Sequence, residues 1–197
     1  MRVPHAVLGS AVLCFFFFLA PAPPPLALRA GTAERLEFED LSRAADLILD
    51  ARVRDVRSVL TPEGRIETEY ELEVERTFWG EDLPTRSVRL PGGVLPDGSG
   101  LLLPGVPRLT RGERSVLFLS EAGASGMRMP VGLGQGRFEV VSDAHGVRHV
   151  LRNLGDTALT QGGGVAHGEG STVTTYAAFA AALEVALVQR EAEGEPR

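Results

Sequence analysis

Apolar and polar positions alternate along most of the chain between residues 47 and 152, and the cleanest stretch lies near its middle. Ile66, Thr68, Tyr70, Leu72 and Val74 fall on one side of an extended segment, and Glu67, Glu69, Glu71, Glu73 and Glu75 fall on the other. A period of two sustained this long predicts a β-strand with one buried and one solvated face. The preceding stretch, Leu47 to Leu60, alternates as well. Leu47, Leu49, Ala51 and Val53 share one face and Asp50, Arg52 and Arg54 the other, until Val56 breaks the phase and predicts a bulge near Asp55. Thr61-Pro62-Glu63-Gly64 supplies a tight turn between the two strands. Folded as a hairpin, Arg52, Arg54 and Arg57 come beside the glutamates, so the acidic row is a partnered outer face and not a binding surface.

Further strands follow at Arg86 to Leu90 (closed by Pro91-Gly92-Gly93), Ser115 to Ser120, Met127 to Val131, Arg137 to Ser142 and Val147 to Arg152. The run Val116-Leu117-Phe118-Leu119 predicts burial on both faces, and the last two strands form a hairpin across Asp143-Ala144-His145-Gly146. Helical spacing appears twice. Leu36 to Ala45 places Leu36, Leu41 and Ala44 or Ala45 near one face, with Glu37, Glu39 and Asp40 in its first turn. From an N-cap at Thr174 to about Arg190, Tyr176, Phe179, Leu183 and Leu187 form a stripe. The pattern therefore predicts a mainly β protein: a small antiparallel OB-like barrel with a short N-terminal helix and a tethered C-terminal helix. No internal repeat is visible.

The ends divide the chain further. Arg2, an apolar run from Ala6 to Ala20, the prolines from Pro21 to Pro25 and a cut after Ala30 have the layout of a secretory signal peptide. The expected organisation is a signal peptide at 1–30, the barrel at 31–156, a Gly-rich linker at 157–171, a helix at 172–190 and a charged tail at 191–197. The apolar run is shorter than the ~20 residues that span a bilayer core, so no membrane span is expected once the signal is removed. Cys14, the single cysteine, lies inside this leader. The exported chain then has no disulfide, although it would reach an oxidising compartment, outside the cell or in the periplasm.

Charge narrows the partners. The whole chain has 20 basic and 26 acidic residues, a formal −6. Residues 1–30 hold Arg2 and Arg29 and no acid, which leaves 18 − 26 = −8 for the rest. With no basic run either, nucleic acid is not an expected partner.

Candidate chemistry is sparse. His145, His149 and His167, with Asp143 or Asp156, could be drawn as a metal set, but no motif pairs a histidine with a catalytic glutamate. Gly132-Leu133-Gly134-Gln135-Gly136 precedes a strand, not a helix, so Gly134 is expected at a bulge or barrel corner and not in a phosphate loop. Ser125 lacks the strand and helix of a nucleophile elbow. No catalytic residue, metal or cofactor is expected. The candidate contact residues are Trp79, a large aromatic at a strand end, and Leu101, Leu102 and Leu103, the apolar centre of the Pro/Gly-rich excursion from Val94 to Glu113.

Several strings taken together carry a resemblance. They are Ala45-Asp46-Leu47-Ile48-Leu49, Phe78-Trp79-Gly80, Pro91-Gly92-Gly93, Arg111-Gly112-Glu113-Arg114 before Val116-Leu117-Phe118-Leu119, and Gly134-Gln135-Gly136-Arg137-Phe138. Over residues 35–152 the chain resembles a group of uncharacterised secreted bacterial proteins. Their organisation in turn looks like the OB-fold barrels of the netrin and tissue metalloprotease-inhibitor type. Those inhibitors chelate a target's zinc through a disulfide-clamped N-terminal cysteine, which the exported chain lacks, so the resemblance transfers no functional residue. The leading expectation is a non-enzymatic binding module for a protein or cell-envelope partner, acting through Val94–Glu113 and the strand ends. The alternatives are a protease regulator that blocks a groove without cysteine-mediated chelation, and a metal-dependent hydrolase using His145, His149 and Asp143.

Overall fold

The structure is a computed structural model that describes residues 32–152, 158–161, 164–167 and 172–194. The proposed leader, its cleavage point and Cys14 lie outside the described residues. In chain order the elements are β1 (Thr32–Glu34), α1 (Phe38–Ala44), β2 (Leu47–Leu60), β3 (Ile66–Trp79), β4 (Thr85–Pro91), β5 (Gly93–Val94), β6 (Gly100–Leu101), β7 (Arg114–Leu119), β8 (Arg137–Ser142), β9 (Arg148–Arg152), β10 (Ala158–Gln161), β11 (Gly164–His167), β12 (Thr172–Thr175) and α2 (Tyr176–Ala192). The protein is mainly β, with the short leading helix and the C-terminal helix expected from the pattern.

Seven strands form one antiparallel sheet in the order β12-β9-β8-β7-β2-β3-β4. The long β2–β3 hairpin is its spine, and the register shifts between Val53 and Asp55, where the broken phase predicted a bulge. Arg54 bonds Glu73 at 2.6 Å and Arg57 bonds Glu69 at 3.0 Å, which gives two of the glutamates their cross-strand partners.

Strand pairing does not close this sheet into a barrel among the described residues. The segment Met127–Val131, expected as a strand, makes one isolated bridge, Leu119 to Pro130. Pro130's missing N–H does not end this pairing, since the bonds to β7 fall on Met129 O and Val131 N; Gly132, at φ +62°, turns the chain away into the 3-10 turn Leu133–Gly136. The segment still stitches the two sides. Ser120 N donates to Met129 O at 2.8 Å and Val131 N to Phe118 O at 2.9 Å on the β7 side, while Arg128 N donates to Arg89 O of β4 at 3.3 Å.

Where β2 pairs with β7, both faces of the sheet are buried. One face carries Leu47, Leu49, Val53, Tyr70, Leu72, Val88, Leu90, Leu117 and Leu119, closed over by Leu109 and Val106 from the connection before β7. The other carries Ile48, Val116, Phe118, Phe138, Val140 and Val150 under α1 and α2. Phe38 of α1 meets Phe118, Phe138 and Phe179 edge-on, with ring centroids 5.4–6.2 Å apart. The predicted stripe of α2, Tyr176, Phe179, Leu183 and Leu187, is buried against this second face. Because two helices cover it, the expectation that Asp50 faces outward is overturned: Asp50 is fully buried. Glu67 is likewise buried and not outward, lying near Arg65 and Arg89.

Three smaller differences concern the connections. Residues 172–175, expected within the helix, are strand β12 on β9, and the N-cap is Thr175, whose Oγ1 accepts from Ala178 N at 3.3 Å. Within 157–171, the expected tether, β10 and β11 pair with each other, and β1 runs parallel to β10; the other residues of that stretch lie outside the described ones. The string Leu133–Gly136 is a 3-10 turn, and the close approach expected of Gly134 falls on Gly136. A Cβ there would sit 2.6 Å from Val131 O and 3.0 Å from Phe118 O, backbone atoms with little room to yield.

Candidate functional site

At the β2–β3 turn end of the sheet, the chain leaves β4 and makes the small β5–β6 hairpin before returning through residues 102–113 to β7. Local chemistry builds this excursion. Leu95 N donates to Ser99 O at 2.7 Å and Gly98 N to Leu95 O at 2.9 Å. The Asp97 carboxylate accepts from Ser99 Oγ at 2.6 Å and Ser99 N at 2.9 Å. The Ser99 hydroxyl, and then its amide, hold the Asp97 carboxyl below the usual carboxylate range. Gly93 anchors the hairpin to the sheet. Its φ is +140°, and a Cβ would lie 2.1 Å from Thr68 Oγ1 and 2.4 Å from Ser58 Oγ. Those two hydroxyls bond each other at 2.8 Å, and Thr68 Oγ1 donates to Gly92 O at 2.7 Å.

Between this excursion and the sheet lies a groove of about 660 Å³, floored by Val56, Tyr70 and Leu109 and walled by Pro91, Val94 and Leu101–Val106. Burial pushes the Tyr70 phenol up from its ordinary pKa. Leu101 and Leu102 are 44% and 61% exposed, while Leu103 is half-buried. The leucines that composition singled out therefore gather at one rim, two of them facing solvent.

Trp79 is not part of this rim. It ends β3 at the opposite end of the sheet, is only 9% exposed, and packs its ring under the Arg190 guanidinium at 4.2 Å. Arg190 in turn donates to Ser42 O and Ala45 O at 2.8 and 2.7 Å, joining α2 to the end of α1. A second recess of about 540 Å³ opens beside Trp79, lined by Asp46, Asp82, Arg86 and Arg128 among others.

The histidine set resolves into a turn. Asp143 Oδ1 accepts from the amides of His145 and Val147 at 2.9 Å each, and Asp143 Oδ2 lies 3.0 Å from His149 Nε2. His149, followed by the Val147 amide, holds the Asp143 carboxyl below its ordinary value. Among the described residues no three His, Cys, Asp or Glu side chains are placed to share a metal ion. The side chain of His167 and all of Asp156 lie outside the described residues.

One cluster went unread in the sequence. Asp50 accepts from Arg114 Nε at 2.9 Å and Nη2 at 2.7 Å, and from the Tyr176 hydroxyl at 2.5 Å. The only signal was an aspartate inside the apolar run Leu47–Ala51. No protein-family model, curated protein or solved structure matches the chain. Among the described residues no helix is long and apolar enough to cross a membrane.

Proposed function

We propose that this chain is an exported, non-enzymatic binding module that engages a protein or cell-envelope partner through the groove beside the β5–β6 hairpin. The observation that carries this reading is the pairing of exposed Leu101 and Leu102 with an apolar recess of ligand size, held open by a hydrogen-bonded, glycine-dependent loop. Small-molecule sites are concave, with mostly apolar walls and a few placed polar groups. Export is supported by the signal-like layout of residues 1–30.

Capture from the native secreted or periplasmic fraction, run beside a variant with Leu101, Leu102 and Leu103 changed to serine, tests the proposal. A protein or envelope component retained by the wild type and lost by the variant, at an unchanged melting temperature, is the expected result. Identical retention by both would place any partner elsewhere and overturn it.

A further inference from the structure

We infer that the groove takes a single-chain anionic amphiphile, an aliphatic chain ending in a carboxylate. The inference rests on the binding-module reading and supplies its ligand class. Charge is the first argument. The chain as a whole is acidic, with 26 acids against 20 bases, yet the charged groups lining the groove are Arg57 and Arg108 and no carboxylate. Arg57 is engaged by Glu69 at 3.0 Å. Arg108 is exposed and, among the described residues, makes no side-chain hydrogen bond or salt bridge; its charge acts on the Tyr70 phenol of the groove, so its guanidinium is open to an acidic head group there.

The remaining polarity of the lining supplies the second argument. Ser58 and Thr68 bond each other, Thr68 also bonds Gly92 O, and the Tyr70 hydroxyl is held by Thr68 and the Leu109 backbone, so all three hydroxyls are satisfied inside the wall. A peptide laid here would bury amides against satisfied hydroxyls and leucine side chains, which costs free energy for each unpaired group. An acyl chain brings no such group and gains from each methylene removed from water. Size is the third argument. The volume of about 660 Å³ falls within the roughly 300–1,000 Å³ of small-molecule sites.

Calorimetric titration of the purified chain with octanoate, decanoate and dodecanoate, each below its micelle concentration, tests this at neutral pH. Saturable one-to-one binding is expected, tightening about fourfold for each methylene buried. Arg108→Gln, a change at an exposed position that leaves the core alone, is expected to weaken dodecanoate about three- to fivefold. It should leave dodecanol, which has the same chain but no charge, bound as by the wild type. An unchanged dodecanoate affinity in R108Q, a dodecyltrimethylammonium affinity equal to that of dodecanoate, or binding to anionic phospholipid vesicles without binding to the monomeric acid would each overturn the inference. If no acid binds while capture still depends on Leu101–Leu103, the amphiphile falls and the binding module stands. If that capture fails too, both fall.

Discussion

Asp50 sits where a strand pattern offers no place for a charge, between Leu49 and Ala51 and wholly out of solvent. Desolvating a carboxylate costs several kcal/mol unless charge and hydrogen bonds replace the lost water. Arg114 supplies a two-pronged pair, and the Tyr176 hydroxyl supplies a third bond from the first residue of α2. The arrangement ties the helix to the sheet at a stated atom. Burial first, and then the bond to Asp50, push the Tyr176 phenol up to about 12. Below pH 10 the phenol is protonated in both folded and unfolded chains, and its contribution is present in full. Between about 10 and 12 the unfolded phenol ionises while the folded one keeps its proton, so stability falls with rising pH. Urea titrations should therefore show roughly 2–3 kcal/mol more alkaline loss in the wild type than in Tyr176→Phe. Tyr70, also raised by burial, titrates in both proteins and cancels in the comparison. Parallel alkaline curves for the two would mean that Tyr176 does not hold its proton on Asp50.

Helix α2 shows what an element-level pattern can and cannot tell. Its buried stripe was plain in the spacing of Tyr176, Phe179, Leu183 and Leu187, because one face of a helix repeats at three and four residues. Leu183, fully buried, should cost about 2–5 kcal/mol as Leu183→Ala, whereas Val188→Ser, at a position 64% exposed, should stay within about 0.5 kcal/mol. Equal losses at the two positions in denaturant melts would mean that the helix is not docked by this stripe. The strands were legible in the same way: Tyr70 and Leu72 inward, Arg54 and Arg57 beside their glutamates, and the bulge between Val53 and Asp55. Asp50 was misread because alternation marks the face that is buried but does not reveal that α1 and α2 cover the opposite face; Glu67, at the other end of the hairpin, lies beside Arg65 and Arg89 instead. The strand expected over Met127–Val131 shrinks to one bridge because Gly132 turns the chain into a 3-10 turn directly after it, which the apolar run itself does not record. For the groove, Leu101–Leu103 stood out by composition. Arg108, by contrast, gains meaning only once the loop sets it against apolar walls free of acid.

Taken whole, the molecule has a stiff middle and two unlike ends. The first half of β2, Leu47–Arg52, and β7 are paired on both sides and packed on both faces, by the helices on one and by Leu109 and Val106 on the other. Arg190 and Tyr176 fasten α2 near its two ends, so the helix-covered face opens only at the expense of the core. The groove end is built differently, from a two-residue strand pair, short turns and leucines that reach solvent. Amides opened only by global unfolding exchange slowest, and amides in segments with few buried contacts exchange through local opening. Hydrogen exchange should therefore be slowest over Leu47–Val53 and Val116–Leu119 and faster, by orders of magnitude, over Val94–Val106. Dodecanoate should slow exchange in that second segment and leave the first unchanged, because the first already opens only with the whole domain. A loop as protected as β7 before any ligand is added would mean that the groove is a closed part of the core, with no room to admit a chain.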